Sequence, residues 1–497
     1  MLIQEQFLEE MSLYDFENKE LKEKLKELKD KEYKEIYKDV FLITIQGIKK
    51  EYDYNFTKKD VEILNSFLKQ TSLDISNSEA FYPFLVFTIL KDFKKEQIHC
   101  LFETNSKAKI AFDRAVKLYD LLNIGASVFW GMEVDIETRK KLYQNNIIFT
   151  NWQNIGFDKI ENSQIEKMSD KLNLKFNQAF IFDIDRIIYD FEKFHLRLEQ
   201  GSLKVKELSV KDFFKNYDNI VGVSPSLFFE NKKIEKNYSI KTNTNNHFTS
   251  KILSKLKNSK DLYFKTQEEK IRLLSRQVAQ LSKEQETVLV DVDNKQDLEF
   301  LVSYLNLKDV KFNLIQYDEQ AESLEALNIL TPNNVTILTN LLSATIESEL
   351  GGNYKEIAKF NTLKTNNNET SNFFKEKFKK ELKKEEEIKN KNIEIIKNKN
   401  GINILFASHY LELKHEYLVL ENYKNIPIKN IAFYNCPDDE IYQELKLNNL
   451  AIFDKKNDKE NEFAFKMVRK FVYWLRKYSI NKLFVQEKNY IVWTQYP

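Results

Sequence analysis

Binding a nucleotide phosphate calls for glycine, because backbone N–H groups must approach the phosphate oxygens closely and some turn positions need φ > 0. The 497-residue chain has nine glycines, against roughly 35 at average usage. Neither G-x-x-x-x-G-K-[ST] nor G-x-G-x-x-G occurs in it. Other chemistry-bearing residues are sparse. The histidines are His99, His195, His247, His409 and His415. No spacing among them fits a metal site, and only His99 neighbours a cysteine, so all five read as structural or surface groups. Ser224, in Val223-Ser224-Pro225, lacks the G-x-S-x-G elbow of a nucleophile. Cys100 and Cys436 sit in apolar, strand-like runs and read as buried thiols of a reducing compartment. Asp183 and Asp185 close another such run and read as strand-end carboxylates held by backbone N–H groups.

The elements around these residues form two sets. Residues 1–50 read as helical, with Lys19–Lys38 as one solvated helix bearing Leu21, Leu25 and Leu28 on a thin apolar stripe. From about residue 97, strand-like runs at Gln97–Glu103, Ala126–Met132, Asn146–Thr150 and Ala179–Asp185 alternate with helical stretches such as Arg114–Leu122. A second set follows residue 260: Thr287–Asp291, Lys311–Gln316, Val335–Thr339, Ile402–Ala407 and Lys429–Tyr434, with helices Glu268–Leu281 and Lys295–Tyr304 between them. Alternating strands and helices predict mostly parallel sheets, hence two α/β domains. The predicted boundaries are an N-terminal helical segment at 1–50, a first domain at 51–250, a second at 251–440 and a C-terminal helical tail at 441–497. Within the second domain, 355–400 reads as a charged insertion with a helix at Phe374–Lys389 and a loop at Asn366–Asn372.

Lys+Arg of 77 against Asp+Glu of 76 gives a net charge of +1, so no global field draws the chain to nucleic acid or anionic lipid. No apolar run reaches the ~18 residues of a membrane span, and the longest, Ala80–Leu90, contains Pro83. The first ten residues lack the basic start of a signal peptide.

Several strings resemble SecA, the ATPase of bacterial preprotein translocation. Ala179-Phe180-Ile181-Phe182-Asp183-Ile184-Asp185 and the following Arg186 to Asp190 are similar to its Walker B segment. Thr150-Asn151-Trp152-Gln153-Asn154-Ile155-Gly156-Phe157-Asp158 resembles its T-N-x-x-x-G-F-D. Val335-Thr336-Ile337-Leu338-Thr339-Asn340, leading to Leu350-Gly351-Gly352, resembles V-T-I-A-T-N…L-G-G of the second motor domain. Asp261 to Thr266 with Glu269-Lys270-Ile271 is similar to the start of that domain, and Phe433-Tyr434 with Asp438-Asp439 to its end. The resemblance spans about residues 15–440 and implies two tandem RecA-like, helicase-type motor domains.

It also implies where the ATP machinery should stand, namely a phosphate cradle with lysine, an Mg²⁺ acid, a catalytic carboxylate and arginines from the second domain. The family's G-x-G-K-T falls on Asn77-Ser78-Glu79-Ala80-Phe81, so Ala80 replaces the lysine and Phe81 the Mg²⁺-side hydroxyl. In D-E-V-D, Phe182 replaces the Mg²⁺ aspartate, and Asp183 and Asp185 follow. G-R-G-T-D falls on Ser343-Ala344-Thr345-Ile346-Glu347, without arginine. The arginine-rich segment falls on Leu420 to Asn425, with Lys424 as its one cation and a poor substitute for bidentate arginine. The expectation is a pseudoenzyme with no ATPase activity, no cofactor and no metal. Its apolar replacements predict a cleft sealed by direct packing of the two domains, with Phe81 and Phe182 each contributing about 1.5–3 kcal/mol.

Only Phe191 to Leu208 separates Walker B from the next match, Lys211-Asp212-Phe213-Phe214 through Gly222-Val223-Ser224-Pro225, too little for SecA's preprotein-gripping domain. The residues after Tyr434 leave no room for its scaffold helix or zinc tail. Lys466–Phe484 reads as a basic, aromatic helix docked on the core through Val468, Phe471, Val472 and Leu475, or alternatively as a surface that lies on anionic lipid. The implied role is a cytoplasmic binding or scaffold component of protein export or surface-structure assembly. Its partner would be a protein, either translocation machinery or an exported client, with membrane contact through 466–484 as an option. The alternatives are a divergent but active SecA-like ATPase and a helicase-fold protein that binds nucleic acid, the latter opposed by the neutral charge.

Overall fold

The structure is a computed structural model that describes the chain except residues 1, 15–16, 30, 130–134, 166, 168–170, 191–193, 201–202, 245–246, 316–328, 340–349, 365–370, 411–412, 442, 444–488 and 496–497. The chain divides into two units, Met1–Asn246 with Gln486–Pro497, and His247–Val485.

Unit 1 opens with a 3₁₀ segment, Glu5–Tyr14, followed by helices α1 (Asn18–Leu28), α2 (Tyr33–Tyr52) and α3 (Lys58–Leu68). The single helix predicted over Lys19–Lys38 is therefore two. It ends at Leu28, and α2 restarts at Tyr33 with its own extended N-cap at Glu32. Strand β1 (Thr71–Leu73) leads into α4 (Asn77–Phe93), then β2 (Ile98–Phe102), α5 (Asn105–Leu122), β3 (Ala126–Val128), α6 (Ile136–Leu142), β4 (Ile147–Asn151), α7 (Trp152–Asn162) and β5 (Gln178–Phe182). A π-helical turn, Arg186–Asp190, precedes the hairpin β6 (Phe194–Gln200) and β7 (Leu203–Ser209). After it come α8 (Val210–Phe214), β8 (Asn219–Val223), α9 (Asn231–Tyr238) and β9 (Lys241–Asn243).

The sheet order is β3-β4-β2-β5-β8-β1-β9, and every pairing is parallel. A parallel sheet covered on both faces reads as continuous apolar strands, and the side chains here divide by the period of two. Ile98, Cys100 and Phe102 of β2, Ile147 and Phe149 of β4, and Phe180 and Phe182 of β5 join one core with Phe41 of α2, Phe67 of α3, Phe84 of α4 and Leu118 of α5. Leu101, Ile148, Ala179 and Ile181 join the opposite core with Trp152 of α7, Phe213 of α8 and Ile234 of α9.

Unit 2 contains α10 (His247–Lys257), β10 (Lys260–Tyr263), α11 (Gln267–Lys283), β11 (Val288–Val292), α12 (Lys295–Asn306), β12 (Asn313–Ile315) and β13 (Val335–Thr339). Helices α13 (Tyr354–Lys364) and α14 (Ser371–Asn398) follow, then β14 (Ile402–Phe406), α15 (Leu413–Asn422) and β15 (Ile428–Asn435). Its sheet order is β10-β15-β14-β11-β13-β12, again wholly parallel. The charged insertion is thus largely helical, and α14 runs well beyond the predicted Phe374–Lys389. Most of the predicted loop lies outside the described residues.

The C-terminal region predicted as helical, including 466–484, lies mostly outside the described residues. Its described part is a strand, β16 (Asn489–Gln495), which pairs in parallel with β6 of unit 1. A strand joining from the far end of the chain is non-local pairing that no local sequence pattern announces.

Candidate functional site

In open parallel sheets, ligands collect at the carboxyl ends of the strands, and there unit 1 gathers the residues singled out above. Between β1 and α4 the chain has only three residues, 74–76. Ser76 is the N-cap of α4. Its hydroxyl accepts from the Glu79 N–H, and the Glu79 carboxylate accepts from the Ser76 N–H at 3.3 Å. This reciprocal box satisfies two of the N–H donors at the helix start. It also sets the Glu79 carboxylate at that helix end, paired with Lys59 at 2.9 Å. Replacing Ser76 by Ala should cost about 1 kcal/mol of stability, the usual value of an N-cap, seen as a lower denaturant midpoint at an unchanged slope.

Asp183 follows β5 with φ +54°, in the left-handed region. Its carboxylate accepts from Asn77 Nδ2 at 3.2 Å and from Lys107 Nζ at 3.2 Å. Lys107 also holds Glu103 at 2.9 Å, and Glu103 binds Arg186 at 2.7 Å. Burial acts against the Lys107 ammonium, but Asp183 and Glu103 outweigh it and raise its pKa above the ordinary value. Asp185 is fully buried and accepts from Ser226 Oγ at 2.7 Å, and Ser226 in turn meets Ser224 Oγ at 3.1 Å. Both aspartates thus have side-chain partners at the strand end. Gly222 matters for a close approach, since a Cβ there would stand 2.4 Å from the Ile181 carbonyl oxygen on neighbouring β5.

The apolar replacements Ala80, Phe81 and Phe182 are buried and join one core of unit 1. Ala80 is fully buried in α4. Phe182 stacks on Phe102 at 4.7 Å and meets Phe84 edge-on at 4.9 Å. Phe81 meets Tyr52 at 6.3 Å and lies under the Arg114 guanidinium at 4.1 Å. Ala344 and Glu347 lie outside the described residues. Leu420 is buried within α15, and Lys424 pairs with Glu421 at 2.5 Å.

Two polar clusters in unit 2 escaped the sequence reading. Lys270 of α11, fully buried, reaches Asp297 at 2.6 Å and also Asp439. Gln267 donates to Asp297 and the Cys436 N–H to Asp439. Burial works against the Lys270 ammonium, and Asp439 with Asp297 outweighs it, so its pKa stands above normal. The strings that resembled the two ends of a motor domain, Glu269-Lys270-Ile271 and Asp438-Asp439, are thus joined by an ion pair. The second cluster surrounds His409, whose ring lies between Asp261 and Glu416. By contrast His99, bonded to Tyr217 at 2.8 Å, is pushed down to about 3 by burial and is neutral. His195 meets Glu207 across the hairpin at 2.6 Å. Cys100 and Cys436 are buried free thiols.

Two wholly parallel α/β sheets with polar residues at the strand ends agree with a P-loop NTPase-type fold, the class that the family comparison supports. The model of the SecA P-loop domain matches residues 254–409, all within unit 2. The chain is similar to protein translocase subunit SecA 1 of Corynebacterium jeikeium (strain K411), 25% identical over 177 residues, which are 34% of this chain and 19% of that protein. It is 26% identical over 172 residues to protein translocase subunit SecA of Koribacter versatilis (strain Ellin345), covering 34% of this chain and 17% of that one. The matches thus span under a fifth of the length of these relatives. Among solved structures, the DUF1998 helicase MrfA bound to DNA aligns with 85% of this chain and 53% of its own at TM-score 0.49 and 8% identity. S. cerevisiae Dbp5 bound to RNA and ADP BeF3 aligns with 87% and 97% at TM-score 0.43 and 11% identity. Among the described residues, no helix is long and apolar enough to cross a membrane.

Proposed function

We propose that this chain is a SecA-like protein that does not hydrolyse ATP and serves as a binding or scaffold component in bacterial protein export or surface-structure assembly. The observation that carries the first half is the closed state of the strand ends in unit 1. The β1–α4 connection has no room to wrap a phosphate and no lysine to neutralise one. Glu79, Glu103 and Asp183 already occupy Lys59, Lys107 and Arg186. A triphosphate would have to displace those carboxylates while meeting their negative charge, and Phe182 supplies no ligand for Mg²⁺. The family match and the partial translocase relatives support the export setting.

Titration of the full chain with ATP·Mg²⁺ should give no heat of binding, and phosphate release should stay at background and be unmoved by Asp183→Asn. Release well above background that Asp183→Asn abolishes would overturn the non-hydrolysing reading. The scaffold role predicts that the tagged chain co-purifies from its native cells with translocase subunits or an exported client, and that deleting it impairs export of that client. Normal export after deletion would overturn that half alone.

A further inference from the structure

The least expected chemistry lies in unit 2, at the carboxyl ends of its strands. The His409 ring has a carboxylate on each side: Glu416 Oε1 of α15 is 3.0 Å from Nδ1, and Asp261 Oδ1 of β10 is 3.4 Å from Nε2. Its face stacks on Phe433 of β15 at 4.1 Å and 19°. Its backbone N–H donates to Asn435 Oδ1 at 3.3 Å, and the Tyr410 N–H donates to Glu416 Oε1 at 3.1 Å. The Nδ1 contact is a hydrogen bond and the Nε2 contact an ion-pair approach; a neutral imidazole has one N–H and leaves a lone pair towards one of the carboxylates, whereas an imidazolium presents an N–H to each. The other ionisable groups facing this site are Asp291 at the end of β11, which accepts from the Tyr410 hydroxyl, Asp293 just beyond it, and His415, edge-on to Tyr410. Lys414, also buried in the first turn of α15, is a cation two residues before Glu416.

We propose that His409 is a proton-operated clamp that ties α15 to β10 when doubly protonated and, on losing a proton, releases the start of α15 from the strand ends of unit 2. Each ring nitrogen serves a different element, so removing either proton breaks one of the two ties and leaves a lone pair facing a carboxylate. Burial alone would favour the neutral ring, but Glu416 and then Asp261 outweigh it and push the pKa up to about 8. A histidine raised in the folded state stabilises it fully below its ordinary value of 6.5, and that stabilisation is lost as pH rises through about 8. The corresponding change in the opening equilibrium is about 30-fold between pH 6 and well above 8. Asp291, pushed from 3.8 up to about 8 by burial, acts in the same direction over a wider span that includes the histidine's, so the test must separate the two.

The experiment is amide hydrogen exchange of the full chain over 402–422 between pH 6 and 9.5, corrected for the intrinsic pH dependence, together with NMR titration of the histidine ring signals. The expected result is opening that rises about 30-fold with pH in Asp291→Asn, where His409 is the remaining titrating group, rises more steeply in the wild type, and stays flat when His409→Gln is added to Asp291→Asn. The His409 signal should titrate near 8 and move down by about one pH unit or more in Glu416→Gln, as the loss of an adjacent carboxylate requires. Retained pH dependence in the Asp291→Asn, His409→Gln double variant, or a His409 midpoint at or below 6.5, would overturn the clamp. Should His409→Gln fail to fold, the Glu416→Gln midpoint decides alone, and an unmoved midpoint overturns it equally.

Discussion

Replacing Lys270 by Met should destabilise unit 2 by about 3–5 kcal/mol, a large share of the 5–15 kcal/mol that holds a typical domain together. The side chain is fully buried, and the two carboxylates it serves, Asp297 and Asp439, are almost as deeply placed. Methionine matches the volume and removes the charge. What it leaves behind is two buried anions with no cation, and that residue of charge is the source of the cost, more than the value of the lost pairs. The sign with pH follows. Carboxylates stripped of their lysine have folded-state pKa values raised above the unfolded ones, so the variant should recover stability as the pH falls and lose it as the pH rises. Urea unfolding of wild type and variant at pH 5 and pH 8 measures this. Adding Asp297→Asn and Asp439→Asn to Lys270→Met should restore most of the loss, because an apolar side chain among neutral amides strands no charge. A Lys270→Met variant as stable as wild type at pH 8 would show that the buried triad is not a structural linchpin.

The second large effect lies in unit 1. Phe180→Ala should cost about 3–5 kcal/mol, the range for removing a fully buried phenylalanine from a packed core. Phe180 meets Phe67 at 5.0 Å, Phe84 at 4.7 Å, Phe87 at 5.9 Å and Phe182 at 5.1 Å, so its ring joins α3 and α4 to the sheet. Four aromatic partners cannot all collapse into the space it leaves, which places the cost towards the upper end. Phe180→Leu, which keeps most of the volume, should cost clearly less. Equilibrium unfolding of the two variants checks the order, and equal losses would mean that the aromatic cluster contributes little beyond apolar area.

Much of the sheet architecture was legible because a strand buried on both faces is an uninterrupted apolar run. Ile98–Phe102, Ile147–Asn151, Val335–Thr339 and Ile402–Phe406 all stand within a residue or two of where such runs predicted them. Thr71–Leu73 was not legible, since three residues carry no period, although this strand sets the position of α4. The hairpin Phe194–Ser209 was hidden by alternating charges, and Asn489–Gln495 by the distance of its partner strand. The break between α1 and α2 was masked by an unbroken run of Lys and Glu, which suits either a helix or its end.

The site divides in the same way. Residue types alone determined that the side chains of Ala80, Phe81 and Phe182 offer no ligand to a phosphate or a metal ion, because no fold gives a hydrocarbon side chain that capacity. Only the tertiary structure decided what stands there instead. Lys107 meets Asp183 across 76 positions of sequence, and Lys270 meets Asp439 across 169. Charge pairing depends on distance in space, and in a parallel sheet that distance is set by the order of strands, which no local window of sequence contains. For the same reason His409, unremarkable between Ser408 and Tyr410, drew notice only when β10 and α15 brought a carboxylate to each of its nitrogens.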